Sequence, residues 1–107
     1  MDNSSRRRAP AATSDELERW RSLPAAQVAM AISTYAKVDP TYVPTADRRT
    51  QRWNIEFDGR QFELLTTGNK FWDTRAAIGG GGGLDLAIHV LGCTFRGAVA
   101  RLRERGL

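Results

Sequence analysis

The chain has 107 residues, 41% apolar and 26% charged, which is the size and balance of one folded domain. Sixteen Lys and Arg against twelve Asp and Glu give a net charge of +4, which favours an anionic partner such as nucleic acid. One cysteine, Cys93, and one histidine, His89, exclude an internal disulfide and a four-ligand structural zinc, and leave a single base for any nucleophilic pair. No apolar run approaches the ~18 residues of a membrane span, and no apolar stretch follows the basic start. A cytoplasmic protein with no membrane partner is expected.

Residues 1–12 are small, polar and basic, with Arg6, Arg7 and Arg8 in a row. Such a segment buries too little apolar surface to offset its ordering entropy, so 1–12 is expected to be a disordered basic arm and 13–107 a single domain. Thr13-Ser14-Asp15-Glu16 fits a capping box and opens a short helix to about Leu23. Pro24 suits the first position of a second helix, which the spacing of Val28, Ile32 and Tyr35 extends to about Tyr35. Pro40 and Pro44 then hold the chain extended.

The clearest local signal follows. Trp53, Ile55 and Phe57 alternate with Asn54, Glu56 and Asp58, and Phe62 and Leu64 resume the alternation after Asp58-Gly59. Asp-Gly between alternating runs predicts a type I′ hairpin that pairs Phe57 with Arg60, Ile55 with Phe62 and Trp53 with Leu64 on one face. Thr67-Gly68-Asn69 gives a second turn, and Lys70 to Asp73 a third short strand. The centre therefore reads as a three-stranded antiparallel meander. Five glycines, Gly79 to Gly83, read as a loop, because no helix or strand interior tolerates that entropy loss. They lack the Gly-Lys-Ser/Thr ending of a nucleotide-binding loop. A helix over Leu84–Leu91 follows, with Leu84, Ile88 and Leu91 on its buried face and His89 turned away. Gly92 stops it, and Thr94 caps a last helix with Phe95, Ala98, Val99 and Leu102 inward. Cys93 reads as a small buried apolar residue.

The run Gly82-Gly83-Leu84-Asp85-Leu86-Ala87-Ile88-His89-Val90-Leu91-Gly92-Cys93-Thr94-Phe95-Arg96-Gly97-Ala98-Val99-Ala100-Arg101-Leu102 resembles the end of the N-terminal zinc-ribbon domain of bacterial DNA primases. The pattern there is Gly-Gly, a short apolar helix, a tight turn, then Ser/Thr/Asp-Phe-x-x-Ala-Val-x-x-Leu. The likeness extends over about residues 24–106, with the last stretch the most strongly patterned. Family zinc is held by Cys and His in the strand hairpins, and residues 50–79 contain neither. The chain is thus similar to zinc-less domains found beside toprim primase modules in plasmid and conjugative-element proteins. That resemblance implies an α+β domain, zinc-ribbon-like without zinc, in which N-terminal and C-terminal helices pack the meander. It also implies a DNA-contacting accessory role with no catalytic residues, metal or cofactor.

For single-stranded DNA the chemistry needs rings to stack bases and cations to meet phosphates. Phe71 and Trp72 are adjacent in a strand and must point to opposite faces, so Trp72 is assigned to the face without helices. Arg48, Arg49 and Arg52 form a basic cluster, and Lys70 and Arg75 flank Trp72. Arg60, at the hairpin end, is positioned to clamp a phosphate, and joint loss of Arg52 and Arg60 is expected to lower affinity. The alternative partner is a protein, with the domain serving as an adaptor that docks a primase, relaxase or helicase.

Overall fold

The computed structural model describes residues 10–107. Its elements, in chain order, are α1 (Ser14–Ser22), α2 (Ala25–Ile32), β1 (Tyr35–Val38), β2 (Gln51–Phe57), β3 (Arg60–Thr67), β4 (Lys70–Asp73), β5 (Ile78–Gly81), α3 (Gly83–Leu91) and α4 (Phe95–Glu104). The five strands form one antiparallel sheet in sequence order. The class is α+β, as expected, but the sheet has five strands where the alternation predicts three.

The hairpin follows its local chemistry. Asp58 and Gly59 both have positive φ, 52° and 75°, as a type I′ turn requires. The register pairs Phe57 with Arg60, Ile55 with Phe62 and Trp53 with Leu64, as the sequence predicts. The capping box at Thr13 also forms, with the Glu16 amide donating to the Thr13 hydroxyl at 3.1 Å.

The two additional strands correct two expectations. The second helix stops at Ile32, and Tyr35–Val38 becomes β1, paired with Val38 opposite Trp53 and Tyr35 opposite Glu56. The free edge of β2 offers this segment a ladder that three more helical residues cannot match. At the other edge, the glycine run is not a loop. Ile78–Gly81 pairs with β4 as β5. A Cβ at Gly79 would lie 2.7 Å from the Trp72 ring, and one at Gly80 would lie 2.9 Å from the Phe71 ring. The two aromatic side chains of β4 fill the space on either face of β5, and only glycine lets the strands approach beneath them.

One face of the sheet is covered by helices. Trp53, Ile55, Leu64 and Phe71 are buried there against Trp20, Val28, Ile32, Leu86, Val90, Val99 and Leu102. Helix α3 turns Leu86, Ala87 and Val90 into this core, while Leu84, Ile88 and Leu91 are half-buried, so its inward face is rotated from the expected one. Gly83 packs on the Trp20 carbonyl, which fixes that rotation. In α4, Ala98, Val99 and Leu102 are buried as expected, but Phe95 is half exposed. Cys93 is half-buried, and burial pushes its thiol pKa up.

Of the expected disordered arm 1–12, residues 1–9 lie outside the described residues. Pro10 and Ala11 accept hydrogen bonds from the Arg103 guanidinium at 2.8 and 3.2 Å, and Ala12 packs on the core. Among the described residues no single helix is long and apolar enough to cross a membrane.

Candidate nucleic-acid interface

The opposite face of the sheet carries no helix. Strand pairing builds a continuous row across it, because Arg52 pairs with Leu65, Leu65 with Trp72 and Trp72 with Gly79. Side chains two residues apart on a strand share a face, so the row is a cation, an aliphatic chain, an indole and a gap. Trp72 is 46% exposed and lies over Gly79. The absence of a Cβ there leaves room for the indole to lie against the Gly79 backbone, and the ring lines a groove together with Leu65 of β3.

A groove of about 470 Å³ lies over this row, lined by Tyr42, Thr45, Ala46, Leu65, Lys70 and Trp72 among others. Its outer wall is the segment between β1 and β2. Asp39 shapes that wall. Its carboxylate accepts from the Thr41 amide at 2.9 Å, the Thr41 hydroxyl at 2.7 Å and Arg52 Nε at 2.9 Å. The Thr41 hydroxyl and the Arg52 guanidinium hold the Asp39 pKa down at about 2. Arg52 in turn lies 5.4 Å above the Tyr42 ring, a cation–π contact that presents the phenol to the groove. A second acid, Glu63, lies 3.9 Å from Arg52.

The seven residues singled out in the sequence therefore separate. Trp72 and Lys70 line one groove, and Arg52 stands behind its Tyr42 wall, held by Asp39. Arg49 borders it near the Gly68 turn, but its guanidinium is paired with Asp47 at 2.9 Å. Arg48 is exposed beside it, and Arg75 is exposed in the β4–β5 turn. Among the described residues Arg48, Lys70 and Arg75 have no carboxylate partner.

Arg60 lies elsewhere. It projects on the helix-bearing side and donates to the Val90 carbonyl at 2.6 Å, while lying 5.3 Å over the Phe62 ring. Arg101 repeats this arrangement: it donates to the Ile32 carbonyl at 3.3 Å and lies 5.7 Å over Phe57. Each arginine thus sits at a helix C-terminus, where the unpaired carbonyls and the helix dipole favour a cation. The expected phosphate clamp at Arg60 is engaged in holding α3 to the hairpin.

Two lining residues escape the sequence reading. Tyr42 lies between Pro40 and Pro44 with no periodicity to mark it. Leu65 does leave a signal: beside Leu64 in a strand, one of the two must face outward, as with Phe71 and Trp72.

His89, expected to be solvent-exposed or lightly packed, is instead engaged by a carboxylate and two aromatic rings. Its Nε2 is 2.7 Å from an Asp73 carboxylate oxygen, and its ring stacks on Phe71 and meets Phe62 edge-on. Asp73 is only 3% exposed. Burial alone would raise its pKa, but the Ala76 amide, the His89 ring and the Arg75 amide outweigh it and hold the carboxyl below its usual range. The pair ties the end of β4 to α3. Among the described residues no three His, Cys, Asp or Glu side chains gather as a metal-ligand set.

Comparison of the chain with protein-family models, with curated proteins and with solved structures finds no match.

Proposed function

We propose that this chain is a non-catalytic domain that binds single-stranded DNA on the helix-free face of its sheet. In this reading it is a zinc-less relative of the primase zinc ribbon, serving a cytoplasmic plasmid-replication or conjugative-transfer system. The observation that carries the reading is the half-exposed Trp72 indole, backed by Gly79, in a groove that also holds Tyr42 and Lys70. Unpaired bases stack on such rings for about 1–3 kcal/mol each, while duplex bases are already stacked and cannot enter. Lys70, Arg48 and Arg75 meet phosphates, and Arg52 positions Tyr42.

Fluorescence anisotropy with single- and double-stranded DNA of equal length, over a salt series, tests this. The single strand is expected to bind more tightly. Neutralising about three phosphates gives a log–log salt slope of about −2. Equal or tighter duplex binding would overturn the single-strand assignment, and a folded protein that binds neither would overturn the reading.

A second reading, an adaptor that docks a primase, relaxase or helicase, is favoured by one feature. Phe95 is 51% exposed between Leu17 and Leu84 on one side and Pro10 to Ala12 on the other, an apolar patch on the helix side. Salt-insensitive binding to a replication protein that is lost in Phe95→Ala supports that role.

A further inference from the structure

A second, smaller pocket of about 210 Å³ opens on the same helix-free face, beyond the Trp72 groove. It lies where Tyr35 pairs with Glu56 and Glu56 with Gln61, and Asn54, Arg75, Ile55 and Phe62 also line it. Glu56 is four residues along β2 from Arg52, so the two rows are ~13 Å apart at ~3.3 Å per residue. At this size the pocket suits a single ring system rather than a whole ligand. Its polar side chains are a carboxylate, two amides, a phenol and a guanidinium. The carboxylate and amides have no hydrogen-bond partner of their own among the described residues.

We infer that this pocket holds a guanine base of the same DNA strand, recognised by Glu56. The inference rests on the reading of the Trp72 groove given above. An ionised carboxylate only accepts hydrogen bonds, and it accepts two side by side. Guanine alone presents two adjacent donors on its pairing edge, N1–H and the N2 amino group. Thymine offers one donor between two carbonyls there, and cytosine and adenine each offer an amino group beside a bare acceptor nitrogen. Asn54, two residues along β2 from Glu56, and Gln61, its partner on β3, have amide N–H groups available for the guanine O6. Tyr35, 51% exposed, supplies a ring wall. Glu56 would repel the phosphates of the incoming strand, and Arg75 in the pocket and Lys37 in the next row of β1 offset that repulsion.

The test compares a thymidine strand of about twelve nucleotides, within the usual site size, with strands carrying one central guanosine, cytidine or adenosine. Competition anisotropy is expected to show about a tenfold preference for the guanosine strand, the range of a bidentate base contact. Glu56→Gln, which replaces one acceptor by a donor, is expected to abolish the preference and leave thymidine-strand affinity within about twofold of wild type. Asn54→Ala, on the exposed face, serves as the second variant and is expected to reduce the preference. Equal affinity for all four strands, in a protein that binds the thymidine strand through Trp72, would overturn the guanine pocket and leave the groove intact. A preference that survives Glu56→Gln also overturns it. Failure of every strand to bind would overturn the groove reading and this inference together.

Discussion

The two faces of the sheet use the same residue types for opposite purposes. On the helix-bearing face, Arg60 and Arg101 lie over Phe62 and Phe57, and their guanidinium groups are engaged by helix C-terminal carbonyls. On the bare face, Trp72 and Tyr42 line an open groove, and Lys70 has no carboxylate partner among the described residues. A ring beside a cation is thus no evidence of a binding site by itself. What separates such pairs is whether the cation has already met a carbonyl or carboxylate, as Arg60, Arg101 and, on the bare face, Arg52 have and Lys70, among the described residues, has not.

The largest effect that sharpens this contrast belongs to the covered face. Leu64→Ala, at a fully buried position, is expected to cost about 2–5 kcal/mol of stability, read from denaturant midpoints. DNA affinity of the remaining folded protein should be unchanged. Trp72→Ala should do the reverse. It is expected to lower single-strand affinity by about 1–3 kcal/mol, with a stability change within about 0.5 kcal/mol. If both variants lose stability and affinity in parallel, the division between the faces fails.

That division was only partly readable in advance. The β2–β3 hairpin was, because strict alternation and an Asp-Gly turn are both local and agree. Strand β1 was not: Tyr35–Val38 is too short to show a period, and its partner lies across the intervening segment. Strand β5 was hidden by its own glycines, whose low propensity argues for a loop until the rings of Phe71 and Trp72 are known to cover them. That one ring of the Phe71–Trp72 pair faces outward followed from their adjacency, but adjacency alone does not say which. The engagement of Arg60 did not follow, since the Val90 carbonyl is 30 residues away. Nor did the Asp73–His89 pair, because the rotation of α3 is set by tertiary packing around Gly83.

Two smaller effects probe the arginines and the buried pair. Arg60→Ala is expected to lower stability by about 1 kcal/mol through the α3 terminus, with single-strand affinity unchanged. A loss of affinity at constant stability would restore Arg60 to the binding surface. For Asp73, the folded protein binds the carboxyl proton less readily than the unfolded chain does. The ionised Asp73 carboxylate therefore stabilises the fold above the ordinary value of 3.8, and this contribution disappears as pH falls through the lowered folded value. The melting temperature of Asp73→Asn should be lower at neutral pH and fall less steeply on acidification than that of wild type. Parallel pH profiles would remove Asp73 from the acid response.

The most direct measurement uses the tryptophans themselves. Of the three, Trp20 and Trp53 are buried at 0% and 6% exposure, and only Trp72 reaches solvent. Titration with a single-stranded oligonucleotide should quench the exposed component of tryptophan emission along the same isotherm as anisotropy, and Trp72→Phe should abolish that quenching. Binding that leaves the emission unaltered, or quenching that persists in Trp72→Phe, would contradict the account.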